Sequence, residues 1–252
     1  MTIPAISPEM NVPPQPSAVS RVINTFVSPS QAFVGLDRKA SSWWLPFLLI
    51  VIVSFAYVGV MDKKIGFDKI SENQIKLNPK AQDALDKLPA DQRQQRIDLS
   101  TKITKGISYA SPVLALIVFA VIAGVLLAAF NFGLGASIKF STMWAITIFA
   151  HLPNLLKALI TIAAMVAGMD PDGFDIRNPI ATNLGAVVGH SSPALYSLAS
   201  SIDLFSIWIC LLTGIGVASV SKVKRGTAIG MVLGLYAVIC LLAMGYSAVT
   251  GA

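Results

Sequence analysis

Four polar residues that could carry chemistry lie within apolar segments. His151, Asn154 and Lys157 follow at three-residue spacing in HLPNLLK, and Asp203 opens the apolar run DLFSIWICLLTGIGVASVS. Residues three apart share one face of a helix, so the first three predict a polar strip. Ionisable groups inside membrane helices commonly mark ion pairs, proton relays or substrate pathways.

The depths of two of these charges predict an ion pair. Lys157 lies about 16 Å from the end of its apolar run, and Asp203 lies about 15 Å in if its helix begins at Ser192-Pro193. A mid-membrane lysine costs at least about 2.5 kcal/mol unless it pairs, snorkels or loses its charge. We therefore predict that Lys157 and Asp203 pair. The alternative is that Lys157 extends to water and Asp203 starts its helix near water.

Pro153 predicts a kink in the same helix. Its ring removes one backbone donor and clashes with the carbonyl four residues back, at Phe149. Inside a membrane, neighbouring groups can satisfy such a freed carbonyl.

Signatures of catalysis or metal binding are missing from the sequence. It has no G-x-S-x-G elbow, Walker loop or dinucleotide fingerprint. The two histidines lack zinc-like spacing, and each of the two cysteines lies alone within an apolar run. The sequence predicts a protein that is not an enzyme and carries no cofactor or metal.

Composition predicts the elements that position the polar strip. The chain has 54% apolar and 13% charged residues and a mean hydropathy of +0.69, whereas a soluble domain has about a quarter charged residues. Apolar runs near 20 residues are long enough to cross a membrane as helices. We predict an all-α integral membrane protein, a bundle of five transmembrane helices at about 44–61, 111–132, 143–168, 203–221 and 228–249.

The segments outside the runs differ in character. Residues 1–17 are proline-rich and predicted to be disordered. Residues 18–27 have helical apolar spacing and predict an amphipathic helix in the membrane interface, or alternatively one packed on the protein's own soluble face. The polar insertion 62–110 predicts a helical hairpin outside the bilayer, with helix starts at Asn78-Pro79 and Leu88-Pro89. Ser111-Pro112 predicts the start of the second span.

Glycines recur at four-residue spacing in the last span, at Gly226, Gly230 and Gly234. Small residues at this spacing let membrane helices approach closely. Gly214 and Gly216 in the fourth predicted span have the same interpretation. The pattern predicts helix packing, either within the chain or between chains.

Charges give a divided signal for topology. A cytoplasmic N-terminus leaves only Arg177 in the second external loop, but it also places the ten Lys and Arg of 62–110 outside. Short loops weigh most in the positive-inside rule, so we predict N-inside and C-outside. The basic residues then inside are Arg21, Arg38, Lys39, Lys139, Lys222, Lys224 and Arg225.

The order of several segments resembles a known family. FVSPSQAF precedes a Trp-rich first span, followed by GLGASIKFSTMWAITIFAHLPNLL, NPIATNLG and DLFSIWICLLTGIGVASVSKVKRGTA. This order resembles bacterial members of the Yip (Ypt-interacting protein) domain family over about residues 18–250. The resemblance implies five spans, a cytosolic N-terminus and a bacterial inner membrane. Pro153, Asn183, Asp203 and Trp208 are similar to family positions.

The resemblance does not transfer a reaction or a binding residue. Eukaryotic relatives bind Rab-type GTPases, act in vesicle traffic and shape membranes, but this chain lacks their DLYGP-type signature. We predict a membrane-organising or partner-recruiting scaffold that contacts the lipid bilayer and either protein partners or a second copy. Nucleic acid is not an expected partner, because the basic residues of 62–110 are mixed with acids. The alternative is a transporter or channel that uses the polar strip.

Overall fold

A computed structural model describes residues 15–189 and 192–251. Most of the predicted disordered segment 1–17 lies outside the described residues. Every named element in the described part is helical, and the extended backbone there forms an isolated bridge between Asn183 and Asp203. The all-α prediction is therefore confirmed.

The α-helices of the described residues are, in chain order, α1 Ala18–Val27, α2 Pro29–Ala32, α3 Trp44–Lys64, α4 Phe67–Lys76, α5 Pro79–Asp86, α6 Ala90–Leu134, α7 Phe140–Ala150, α8 Pro153–Val166, α9 Gly185–Val188, α10 Pro193–Ser201, α11 Leu204–Val220 and α12 Arg225–Thr250. The side of the bundle that carries α1 and α2 is called the N-terminal side. The opposite side, which carries α4 and α5, is called the insertion side.

Four helical segments of the described chain are long and apolar enough to cross a membrane. They are Ala40–Lys64, Ala90–Leu134, Phe140–Val166 and Arg225–Thr250. The remaining predicted span forms α11, which has 17 residues and is shorter than these four. The chain is thus a multi-pass membrane protein, and the count of five spans stays a prediction.

The predicted helix start at Ser111-Pro112 is wrong. Pro112 lies inside α6, a continuous helix of 45 residues. A proline removes one backbone bond, at about 3 kcal/mol, and this loss does not end a helix that continues into an apolar span. At ~1.5 Å per residue, α6 is about twice as long as the hydrocarbon core is thick. Its first half therefore extends beyond the membrane on the insertion side.

The centre of the bundle is α7, which is apolar around its whole circumference. Residues 142, 143 and 145–150 are all buried, as expected for a helix surrounded by other helices. Phe130 of α6 and Leu212 of α11 belong to the same apolar cluster. Since α8 follows α7 directly, this packing fixes the position of the polar strip.

The two sets of glycines behave differently. A Cβ atom added at Gly214 would lie 2.7 Å from the Ile229 Cα atom of α12, so Gly214 allows close approach of α11 and α12. In contrast, a Cβ added at Gly226, Gly230 or Gly234 would meet no described atom within 4 Å. Within the described part of the chain, Gly214 is therefore a position where α11 packs against α12. The other three glycines form an open stripe on α12.

The helix α1 has two different faces. Ser17 caps its N-terminus, and Arg21 and Thr25 on one face are fully buried. Val19, Ile23 and Val27 lie together on another face and are 60%, 54% and 73% exposed. One face of α1 therefore packs on the protein, and the other presents an apolar stripe to the surroundings.

The insertion packs on the insertion-side ends of the spans. Phe67 and Ile70 of α4 form an apolar cluster with Met61 of α3 and Met165 of α8. Asn78 caps α5 by accepting the Ala81 N–H at 3.0 Å, which confirms that helix start. The insertion is helical, as predicted, but it merges with α6 and is not a separate hairpin.

Candidate intramembrane polar site

The third predicted span is broken at the polar strip. Helix α7 ends at Ala150 and α8 begins with Pro153 at its first position. The carbonyl of Phe149, which the proline was expected to free, accepts the Leu152 N–H at 3.2 Å. The break therefore does not leave this carbonyl unpaired.

Lys157 and Asp203 meet in this part of the bundle. Lys157 Nζ lies 3.1 Å from Asp203 Oδ2, so the contact expected from their depths is present. The side chains are 24% and 4% exposed. A pair this deeply placed matters mainly because removing one partner leaves a buried charge uncompensated.

Asp203 has a second role in addition to the ion pair. From the sequence, pairing with Lys157 and starting a helix were alternative roles for this residue. It is the N-cap of α11, and its Oδ1 accepts the backbone N–H groups of Phe205 at 2.9 Å and Ser206 at 3.1 Å. Its Oδ2 accepts the Thr182 hydroxyl as well as Lys157. The helix start and the ion pair therefore depend on one carboxylate.

His151 and Asn154 point toward a different space. His151 Nδ1 donates to the Thr147 carbonyl at 2.7 Å, and its ring lies 4.7 Å from the Phe119 ring, measured between centroids. Asn154 is exposed. Both residues line, with Lys157, a cavity of about 670 Å³ between α3, α6 and α8. The strip of α8 therefore faces a cavity, and Lys157 joins that cavity to Asp203.

A hydrogen-bonded cluster lies beyond the ion pair, on the insertion side. Asn178 Nδ2 donates to the Tyr196 hydroxyl at 2.6 Å and to Ser200 Oγ at 2.7 Å, and its Oδ1 accepts Asn183 Nδ2 at 2.6 Å. Tyr196 donates to Asp175 at 2.8 Å. Lys157 and Asp203 line a cavity of about 280 Å³ together with Asn178, Tyr196 and Ser200.

Sequence reasoning did not find this cluster. Its residues come from the loop 168–184 and from α10, and they have no fixed spacing that would place them together. The available signal was the density of Asn, Thr and Tyr residues in the segments 178–183 and 193–200 that precede Asp203. The bridge between Asn183 and Asp203 brings these two segments side by side.

Charges outside the spans hold the loop over the site. Lys69 of α4 forms an ion pair and a hydrogen bond with Asp172, which hold the pKa of that carboxyl below its usual range. Asn73 of α4 donates to the carbonyls of Pro171 at 2.8 Å and Phe174 at 3.0 Å. Within the described residues, no three His, Cys, Asp or Glu side chains are grouped so as to hold a metal ion.

Comparison with known proteins gives one family. The Yip1 domain model matches residues 23–247. The chain belongs to the Yip1 domain family. The match includes the amphipathic helix from Ile23, the polar strip, Asp203 and nearly all of α12. Neither curated proteins nor solved structures give a significant match.

Family membership agrees with the resemblance found in the sequence, and the structure gives physical roles to the family-like positions. In this Yip1 domain, Pro153 starts α8 and Asn183 bridges to Asp203. Trp208 packs edge-on against Phe26 of α1, with ring centroids 5.9 Å apart. These residues thus connect the broken third span, the start of α11 and the amphipathic helix.

Proposed function

We propose that this Yip1-domain protein is a non-enzymatic membrane-organising protein that also recruits partners. The observation that carries the proposal is the exposed apolar stripe of α1, formed by Val19, Ile23 and Val27. An amphipathic helix with such a face lies in the membrane interface, with that face about 5–10 Å into the headgroup and acyl boundary.

The opposite face of α1 fixes this helix to the bundle. Arg21 is fully buried, and its Nη1 donates to the Ala32 carbonyl at 2.7 Å. Burial lowers the pKa of Arg21, and Asp37 opposes this effect. A helix held in this way adds its stripe to one leaflet wherever the protein is inserted. Unequal area in the two leaflets favours curvature.

Two further exposed surfaces support partner recruitment. Leu99, Ile103 and Ile107 form an apolar stripe on the part of α6 that extends beyond the membrane, each more than half exposed. The glycine stripe of α12 is open to close approach by another helix. We propose that a second copy of the chain packs on the glycine stripe and that a protein partner binds the α6 stripe.

The proposal includes a topology. We propose that α11 crosses as a fifth span, because 17 residues are at the short end of the usual range of about 17–25. Its start contacts Lys157, and Gly216 near its end contacts Phe33 on the N-terminal side. Five crossings would put the two termini on opposite sides of the membrane, and we propose that the N-terminus is cytoplasmic and the C-terminus lies outside a bacterial inner membrane.

The test replaces the α1 stripe. In the triple variant Val19→Gln/Ile23→Gln/Val27→Gln, about 5 kcal/mol of apolar burial in lipid is lost. We expect wild-type protein in liposomes to narrow or tubulate vesicles in cryo-electron micrographs, and the variant to leave them round and large. The control is Leu99→Gln/Ile103→Gln, which changes exposed apolar residues of α6 and should keep the wild-type effect. Equal vesicle shapes for wild type and the α1 variant would contradict the proposal.

A second candidate function is transport or conduction through the polar strip. It is favoured by one observation: Lys157 lines both the large cavity and the polar cavity beyond it. We expect a pH-dependent flux in proteoliposomes, abolished in Lys157→Met, if this function exists. The absence of flux under ion and proton gradients would reject it without affecting the α1 proposal.

A further inference from the structure

The cavity between α3, α6 and α8 has walls suited to an acyl chain. It has a volume of about 670 Å³, within the range of about 300–1,000 Å³ typical of small-molecule sites. On α6 its lining runs from Ile107 to Phe119 and on α3 from Ile50 to Met61, which corresponds to a depth of roughly 16–18 Å along the helices. Most of these lining side chains are apolar.

The cavity opens toward the bilayer. Leu114 and Val118 of α6 line it and are also 40% and 52% exposed. They belong to the apolar part of α6, whose exposed side chains face lipid. A molecule can therefore enter the cavity sideways from the membrane, without crossing the polar cluster on the insertion side.

The charges of the cavity have one sign. Its described lining contains Lys157 and Arg177 but no Asp or Glu. Asp203, the nearest acid to Lys157, faces the other cavity and already accepts four hydrogen bonds. Arg177 lies at the insertion-side end, and its guanidinium has no ion-pair partner within the described residues. An anion at this end would meet an unpaired cation.

We propose that this cavity binds one lipid with an anionic headgroup, drawn from the surrounding bilayer leaflet on the insertion side. The headgroup pairs with Arg177 near Lys157, and one acyl chain lies along the apolar walls toward His151. Arginine suits this role because its planar guanidinium binds phosphate oxygens in a bidentate manner. The proposal is independent of the stripe on α1 and of any flux.

The test measures which lipid stays with the protein. Protein is exchanged into nanodiscs with equal phosphatidylglycerol and phosphatidylcholine, extracted in mild detergent, and analysed by native mass spectrometry. We expect one phosphatidylglycerol per wild-type chain. Arg177→Ala should reduce the preference for phosphatidylglycerol about tenfold, equivalent to ~1.4 kcal/mol and to the low end of a charged hydrogen bond. The control Lys64→Ala, which removes a charge on the same side but outside the cavity, should leave the preference for phosphatidylglycerol unchanged.

A second pair of variants tests the acyl chain. Ala158 lines the cavity, and Ala158→Trp should obstruct it beside α8 and reduce lipid retention. Ala163 is exposed on the same helix, so Ala163→Trp is the matched control for a new tryptophan on α8. Thermal stability measured by size exclusion identifies any variant that fails to fold. If a tryptophan variant fails, Arg177→Ala, which changes a residue in an exposed loop, tests the proposal by itself. Equal retention of both lipids, or retention unchanged in Ala158→Trp and Arg177→Ala, would overturn the proposal.

Discussion

Asp203→Ala is expected to destabilise the protein more than any other single change to the polar strip. The substitution removes the acceptor for Lys157 Nζ, for the Thr182 hydroxyl and for the N–H groups of Phe205 and Ser206. Leaving a buried charge unpaired costs about 3–5 kcal/mol, and losing an N-cap costs ~1 kcal/mol. The free energy of unfolding in bicelles, measured by steric trapping, should fall by at least the first amount.

Companion variants separate the charge from the cap. Lys157→Met leaves Asp203 with its three other hydrogen bonds, so its cost should be smaller. Asn is a good N-cap residue, so the double variant Lys157→Met/Asp203→Asn removes both charges and keeps the cap. It should be nearly as stable as wild type, because replacing a whole buried pair is often neutral. If Asp203→Asn alone cost no more than this double variant, the ion pair would have no role in stability.

Gly214→Ala is the second change with a large expected effect. The added methyl group would lie 2.7 Å from the Cα and 2.8 Å from the N atom of Ile229. These are backbone atoms of α12, so relief requires the two helices to move apart. Overpacking of this kind costs about 1–3 kcal/mol. We expect a clear fall in the thermal midpoint measured by fluorescence-detected size exclusion.

Gly230→Ala is the matched control for this change. It makes the same substitution on α12, where the added Cβ has no described neighbour within 4 Å. Alanine has a better helix propensity than glycine by about 1 kcal/mol, so monomer stability should stay the same or rise. If a second copy packs on the glycine stripe, this variant should weaken the dimer instead. Equal losses of stability in both variants would contradict the packing described for Gly214.

The parts of the fold that follow from local physics could be predicted from the sequence. Long apolar runs and the spacing of Val19, Ile23 and Val27 indicate helices and faces directly. Pro153 predicted the break in the third span, because the loss of its backbone N–H affects only residues within four positions of it. The depth of Lys157 in an apolar run predicted its need for a partner, and Asp203 was the acid at a similar depth.

Features that depend on tertiary contacts could not be predicted in this way. Pro112 was interpreted as a helix start, because the sequence does not show that α4 and α3 pack along a continuous α6. The glycines of α11 and α12 have the same interpretation from the sequence, and only their neighbours distinguish packed from open ones. Arg177 was counted only as a loop charge, since its position at the cavity depends on how the loop 168–184 folds onto the bundle.

The position of the α1 stripe relative to lipid tests the central claim most directly. In a background with Cys210→Ala and Cys240→Ala, a nitroxide label is placed at position 23 or, as a control, at position 31, where Gln31 is exposed on α2. Electron paramagnetic resonance in nanodiscs then compares collisions with oxygen, which concentrates in lipid, and with a water-soluble nickel chelate. We expect position 23 to favour oxygen and position 31 to favour the chelate. If both positions favoured the chelate, α1 would lie in water and the proposed membrane-organising role would be wrong.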